Sequence, residues 1–375
     1  MSLFNVYPLF DITPTFAKDV YVYDENNTKY LDLYGGHAVI SIGHSHPKYV
    51  AAISNQVKKL GFYSNAIQNP LQTQLADKLT SLSGSKGYQL FLCNSGAEAN
   101  ENALKLASFH THKAEILAFK NSFHGRTSAA VAATDNAKIV SPLNAQQKVN
   151  FVSLGDLEAV ETILKQNKTC AVIIECIQGV GGLDESTTEF YQGLAILCKT
   201  YNTVLIADEV QSGFGRTGDF FSFQKHHITP DIISMAKGMG NGFPIGGILI
   251  HPSIKASFGL LGTTFGGNHL ACSASLAVLE VIEEENLIQN ATEISAYFIE
   301  KASEIPEVKK VKGRGLMLGL EFDFPVAELR KKLIHKHHIF TGSAKNPNLI
   351  RILPPLTVAK KHLDLFFDAL KEALK

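Results

Sequence analysis

Asp231-Ile232-Ile233-Ser234-Met235-Ala236-Lys237-Gly238-Met239-Gly240-Asn241-Gly242-Phe243-Pro244 runs from an apolar strand into a glycine-dense turn. Strands this apolar are buried on both faces of a parallel sheet, and active sites collect at the carboxyl ends of such strands. Lys237 stands at that junction. A lysine there loses hydration, which disfavours its charged form and leaves a neutral amine available for Schiff-base chemistry. The turn, poor in side chains, lets a flat ligand lie close to the backbone. Taken alone, the commoner reading is a strand-end lysine reaching solvent past a loop. The rest of the chain has to decide.

On either side of this stretch, strands and helices alternate. Apolar runs at 88–93, 115–119, 171–175, 203–208, 231–236 and 245–250 predict strands, with helices over 97–110, 156–166 and 187–201. The last of these helices opens on the capping pattern Ser186-Thr187-Thr188-Glu189. Such alternation implies right-handed crossovers and a mostly parallel, doubly wound α/β sheet. Two helices come earlier, over 47–60 with an apolar face on Val50, Ile53 and Val57, and over 71–82. Gly61 and Gly84 stop them. After Leu270 the style changes to a long helix over 271–285, shorter α and β pieces, and an amphipathic helix over 359–374. The expected division is a large domain over 46–268 and a smaller α+β domain built from 1–45 and 269–375.

At 375 residues the chain exceeds one ordinary domain. With 45% apolar and 19% charged residues, it suits a soluble enzyme with a large core. A formal net charge of zero and the lack of a long basic run give no reason to expect nucleic acid or an anionic membrane as partner. The five cysteines are scattered, with Cys93, Cys170 and Cys176 in or beside apolar strands, so buried thiols in a reducing compartment are expected. There is no Cys-x-x-Cys, and His44 and His46 lack the spacing of a helical metal pair, so no metal is expected. Without a signal segment or a membrane-length apolar run, the expected location is the cytoplasm.

Four constellations carry chemistry. Asn94-Ser95-Gly96-Ala97-Glu98 lies between a strand end and a helix start, where free amides and a hydroxyl suit an anion, or simply cap the helix. Asp208 ends the apolar run Val204-Leu205-Ile206-Ala207, where a carboxylate needs a cationic partner such as a protonated ring nitrogen, unless it caps the following turn. In Asn121-Ser122-Phe123-His124-Gly125-Arg126, Phe123 offers a face to a planar ring and Arg126 a fork to a carboxylate. A core aromatic and a surface ion pair are the plainer alternatives, and His124 reads as structural. Gly262-Thr263-Thr264-Phe265-Gly266-Gly267-Asn268 suits phosphate oxygens, or is only a tight turn. A dinucleotide loop is excluded at 238–247, because Pro244 and an apolar run follow it where a helix is required.

Together these segments resemble the class III aminotransferases, pyridoxal-phosphate enzymes of fold type I. The resemblance also runs through Gly43-His44-Ser45-His46-Pro47, Asp208-Glu209-Val210-Gln211-Ser212-Gly213-Phe214-Gly215-Arg216-Thr217-Gly218 and Arg351-Ile352-Leu353-Pro354-Pro355-Leu356. It implies a seven-stranded, mostly parallel sheet and pyridoxal 5'-phosphate as cofactor. It makes Lys237 the lysine that carries the cofactor and moves the proton. Asp208 becomes the partner of the ring nitrogen, Gln211 of the ring's phenolic oxygen, and Phe123 the stacking ring. Ser95, Gly96 and Ala97 bind the phosphate, and Thr264 reaches it from the other subunit of a homodimer. Arg126 holds the carboxylate of an N-acylornithine, and Arg351 the carboxylate beside the carbonyl of 2-oxoglutarate (or beside the amine of the glutamate formed). Glu175 masks Arg351 in the first half-reaction.

The chain departs from the family pattern at three places near the substrate. Glu175-Cys176-Ile177-Gln178-Gly179-Val180 lacks a usual proline and a second carboxylate, Thr263 replaces a common serine, and Ile40 replaces a frequent asparagine. These positions leave acetyl or succinyl, and ornithine or its analogues, open.

Overall fold

The computed structural model describes residues 3–375, so the first two residues of the expected 1–45 segment lie outside the described part. At its centre is a seven-stranded sheet in the order Gln89–Cys93, Gly246–Ile250, Ile232–Met235, Val204–Asp208, Thr169–Ile174, Glu115–Phe119 and Val149–Val152. Thr169–Ile174 and Val204–Asp208 are buried at every position, as strands covered on both faces must be. Burying each of their Val, Leu or Ile side chains contributes about 1.5–3 kcal/mol. Helices Gly96–Thr111, Leu157–Leu164 and Thr188–Thr200 connect strands of this sheet.

Gly246–Ile250 is antiparallel to both neighbours. The reason is local. A parallel return needs a crossover of a dozen or more residues, and only the turn around Lys237 separates this strand from Ile232–Met235. Val149–Val152 is an edge strand that the sequence pattern misses, being four residues long with a polar Asn150 inside it. Helix Thr188–Thr200 starts one residue later than the capping pattern implies. Thr187, not Ser186, is the cap, and its hydroxyl accepts the Phe190 amide at 3.3 Å.

Two smaller sheets flank the large one. Strands Pro14–Lys18, Tyr21–Asp24 and Lys29–Asp32 are joined by Ile339–Phe340, which pairs in parallel with Lys29–Asp32. The other sheet is antiparallel, in the order Lys310–Arg314, Met317–Glu321, Leu349–Ile352, Gly342–Ser343. The N-terminal strands are thus completed by a strand from far along the chain.

Helix Pro47–Lys59 departs from its expected packing. None of its residues is buried, and Val50 and Val57 are exposed. It rests on helix His269–Glu284 through Lys48, which reaches Glu280 and Glu284 at 3.1 and 2.6 Å. Its apolar stripe continues into exposed Leu60, Phe62, Tyr63 and Ile67. No helix of the described residues is long and apolar enough to cross a membrane.

Candidate active site

The carboxyl ends of the parallel strands converge on one cavity of about 210 Å³. Gly96, Ala97, Phe123, Arg126, Glu175, Asp208, Gln211 and Lys237 all line it. Residues scattered over more than 140 positions meet there because each follows a strand end or opens the next helix.

Lys237 begins a 3-10 turn after Ile232–Met235 and has φ +48, a left-handed conformation costly for any residue with a Cβ. Burial pushes its amine down to about 8, with Asp208 and Glu175 pulling the other way and Arg351 adding to the depression. At neutral pH a far larger share of such an amine is unprotonated than of an ordinary lysine.

Asp208 is 4% exposed at the end of Val204–Asp208. Its Oδ2 accepts from Asn100 Nδ2 at 2.8 Å and lies 2.7 Å from His124 Nδ1, and Oδ1 accepts the Val210 amide at 3.1 Å. His124, read from the sequence as structural, lines the same cavity. Its ring is buried against the key carboxylate, and its Nε2 is buried with no partner among the described residues. Asn100 is the other residue the sequence hides. Its only signal is position, one helical turn after Gly96 on the inward face.

Helix Gly96–Thr111 points its first turn at the cavity. Ser95 caps it, accepting the Glu98 amide at 3.2 Å, while Glu98 reaches back to the Asn94 amide at 2.7 Å. The amides of Gly96 and Ala97 open the helix, where no intrahelical acceptor exists for them. A Cβ at Gly96 would sit 2.5 Å from Val210 Cγ1, so the close approach requires glycine. Phe123 is part-buried, with the Arg126 guanidinium 5.9 Å from its ring centroid. Arg126 itself is exposed and has no ion-pair partner among the described residues.

Arg351, on strand Leu349–Ile352, is 3% exposed and joins the site from behind. The expected masking by Glu175 is not made. Nη1 of Arg351 donates to the Gly179 carbonyl at 2.8 Å and to Gln211 Oε1 at 3.3 Å, and Nε donates to the Ser343 carbonyl. Glu175 is engaged elsewhere. Its Oε1 accepts the Phe123 amide and its Oε2 the Gly179 amide, both at 2.9 Å. Two backbone donors at a strand end hold the carboxylate in place before it can reach the guanidinium. Burial nevertheless keeps the Glu175 carboxyl above its ordinary range. The other end of Gln211 donates to the His37 carbonyl at 3.1 Å, so here this side chain bridges Arg351 to the N-terminal segment.

The loop at 262–268 stands apart. Thr264 is exposed and outside the cavity. Thr263 turns its hydroxyl to the Gly266 amide at 3.0 Å and to Asn94 Nδ2 at 3.5 Å, so it too lies beside the cavity without lining it. His44 and His46 are structural, paired with Asp32 and Glu285 at 2.8 and 2.9 Å.

A depressed lysine amine, a buried carboxylate, free helix amides and a flanking aromatic ring form a set made for a phosphorylated aldehyde ring. The match of the aminotransferase class-III model over residues 5–374 agrees. The chain belongs to the class III aminotransferases. It is 39% identical to an acetylornithine aminotransferase of Bacillus subtilis, with 100% of this chain and 97% of that protein covered. It is 42% identical to one of Methanocaldococcus jannaschii, over 95% of this chain and 92% of that protein. Among solved structures, the ornithine aminotransferase of Toxoplasma gondii superposes with a TM-score of 0.91 at 26% identity, covering 98% of this chain and 91% of that one.

The cofactor of this class III aminotransferase is pyridoxal 5'-phosphate, and the residues present fit it. The backbone at Gly96, where Val210 leaves no room for a Cβ, and the depressed amine of Lys237 open on the same cavity.

Proposed function

We propose that this aminotransferase moves the terminal amino group of an N-acylated ornithine to 2-oxoglutarate, yielding the N-acyl glutamate semialdehyde and glutamate, as in arginine biosynthesis. The observation that carries the reading is a pair of separate guanidinium groups. Arg126 lines the cavity that holds Lys237, and Arg351 approaches the same cavity through Gln211. One substrate has its carboxylate far from the reacting amine, and the other has a carboxylate beside the reacting carbonyl. Two cations, one lining the cavity of Lys237 and one reaching it through Gln211, suit that alternation. The acetylornithine aminotransferases among its relatives, 36–42% identical, support the same substrate class.

Bound pyridoxal phosphate would supply an aldehyde carbon that takes up the substrate's amino nitrogen, and a ring that draws electrons from the reacting carbon. This chain's residues do the rest. In this reading Lys237 Nζ holds the cofactor and then carries the proton to and from the substrate carbon. Asp208 keeps the ring nitrogen protonated, with Asn100 and His124 fixing its carboxylate. Phe123 would cover one ring face, and Gln211 would meet the ring's oxygen. Ser95, Gly96 and Ala97 take the phosphate, joined by Thr264 from a second subunit. Arg126 and Thr263 meet the acyl substrate, and Arg351 meets the 2-oxo acid. Glu175 acts by ordering the loop that carries Gly179 rather than as an ion-pair mask.

A homodimer is part of this proposal. Exposed Val57, Leu60, Phe62, Tyr63 and Ile67 form a surface that water disfavours. Phe62 packs 5.3 Å from Phe265, beside Thr264. A cytoplasmic location suits the five buried free cysteines. We assign the large domain to 46–268 and the small one to 1–45 with 269–375.

The test offers the purified protein acetylornithine, succinylornithine, ornithine and 4-aminobutyrate while absorbance follows conversion of the cofactor to its amine form. Fast conversion by an N-acylornithine and slow conversion by the others is the expected outcome. Preference for free ornithine or 4-aminobutyrate would reject the reading.

A further inference from the structure

We propose that Tyr191 is a positioning residue for Arg351, because its phenol staples shut the loop that aims the guanidinium. The proposal rests on the reading of Arg351 as the site for the 2-oxo acid's carboxylate. Residues 175–187 connect strand Thr169–Ile174 to helix Thr188–Thr200. Tyr191 lies in the first turns of that helix and is fully buried. Its hydroxyl donates to the Cys176 carbonyl at 2.7 Å and accepts the Ser186 amide at 3.0 Å. One oxygen thereby ties the two ends of the loop together, ten residues apart in sequence.

The staple is braced from behind. The Tyr191 ring lies on His226, with centroids 4.1 Å apart. His226 meets Thr188 Oγ1 and Glu185 Oε1, each at 3.1 Å. Arg314, on strand Lys310–Arg314, donates to the same Glu185 oxygen at 2.9 Å and to Asp219 at 2.9 Å. The far end of the loop is thus held to the C-terminal sheet.

Between its two ends the loop presents Gly179. Glu175 Oε2 fixes the Gly179 amide, and the Gly179 carbonyl accepts from Arg351 Nη1. A guanidinium 3% exposed has little water to orient it, so its direction follows its acceptors. Those acceptors are the Gly179 and Ser343 carbonyls and the Gln211 amide oxygen, all uncharged. They set the plane of the fork and leave its charge for an incoming carboxylate. Loosening the staple frees Gly179 and with it one of the three directions that define the fork.

Tyr191→Phe keeps the ring and its contact with His226 and removes only the hydroxyl. In steady-state kinetics of the holoenzyme, the KM for 2-oxoglutarate should rise by about three- to tenfold, the range of one neutral hydrogen bond. The KM for the N-acylornithine, assigned to Arg126, and kcat should move less than about twofold. Glu185→Ala loosens the loop from its other end and should shift the same KM in the same direction. An unchanged 2-oxoglutarate KM in either folded variant overturns the proposal, as does an equal rise for both substrates. Arg351→Lys separates the two layers. If it leaves the 2-oxoglutarate KM untouched, the assignment of Arg351 fails; if it raises that KM while Tyr191→Phe does not, only the staple fails.

Discussion

Lys237→Met removes a charge that the fold holds at a cost, and the size of that cost follows from the structure. An ordinary lysine keeps its proton to 10.5, whereas burial brings Lys237 down to about 8 despite the opposing pull of Asp208 and Glu175. Each pH unit of depression corresponds to about 1.4 kcal/mol, so holding the protonated amine costs the folded state on the order of 3 kcal/mol. Between pH 8 and 10.5 the unfolded chain binds more protons than the folded one, so stability rises with pH across that window. The penalty is complete below it and gone above it. Methionine has similar length and no charge, and it inherits the same φ of +48, so backbone strain cancels in the comparison. With both proteins freed of cofactor and at equal concentration, the variant should be more stable at pH 7 by about 3 kcal/mol. That corresponds to a urea midpoint higher by roughly 1 M. The gain should fade to nothing by pH 10.5. Equal midpoints at pH 7, or a gain that persists undiminished at pH 10.5, would mean that Lys237 titrates like a surface lysine. The chemical reason for placing it at the centre of the site would then be lost.

Arg126→Ala should lower kcat/KM for the N-acylornithine by a factor on the order of a hundred in steady-state kinetics, from the loss of its paired carboxylate contact. Near-normal values would remove Arg126 from the site. His124→Ala takes one donor from Asp208 and should weaken cofactor binding by about tenfold or more, read by fluorescence titration of the apoprotein. An unaltered affinity would return His124 to a packing role. Gly315 has φ +59, and a Cβ there would lie 2.4 Å from the Thr217 carbonyl carbon, whereas Gly84 has φ +67 with nothing within 4 Å. In thermal or urea unfolding Gly315→Ala should cost more than about 3 kcal/mol, and Gly84→Ala only about 1–2 kcal/mol. Similar losses in the two variants would contradict the packing account.

The sequence by itself determined the large sheet's parallel core and the chemistry set along its edge. Runs such as Val204-Leu205-Ile206-Ala207 can be satisfied only by burial on both faces, and the polar residues that follow them are then forced to the carboxyl ends. Lys237, Asp208, Phe123 and Gly96 were legible for that reason, and Glu175 only through the family resemblance. Tertiary structure alone decided direction and partnership. Gly246–Ile250 runs antiparallel because the preceding turn is too short for a crossover, a property of chain length between strands and not of the strand's own residues. The stripe of helix Pro47–Lys59 has a core-like period, yet its residues Val50 and Val57 stay exposed on the described chain. Which oxygen each donor reaches was equally hidden. Asn100 and His124 meet on Asp208, while Glu175 is taken by two backbone amides and so leaves Arg351 to Gly179 and Gln211. Apolar periodicity is read along the chain and survives in one dimension. Hydrogen-bond partnership depends on ångström distances between residues many positions apart, and only the folded backbone sets those.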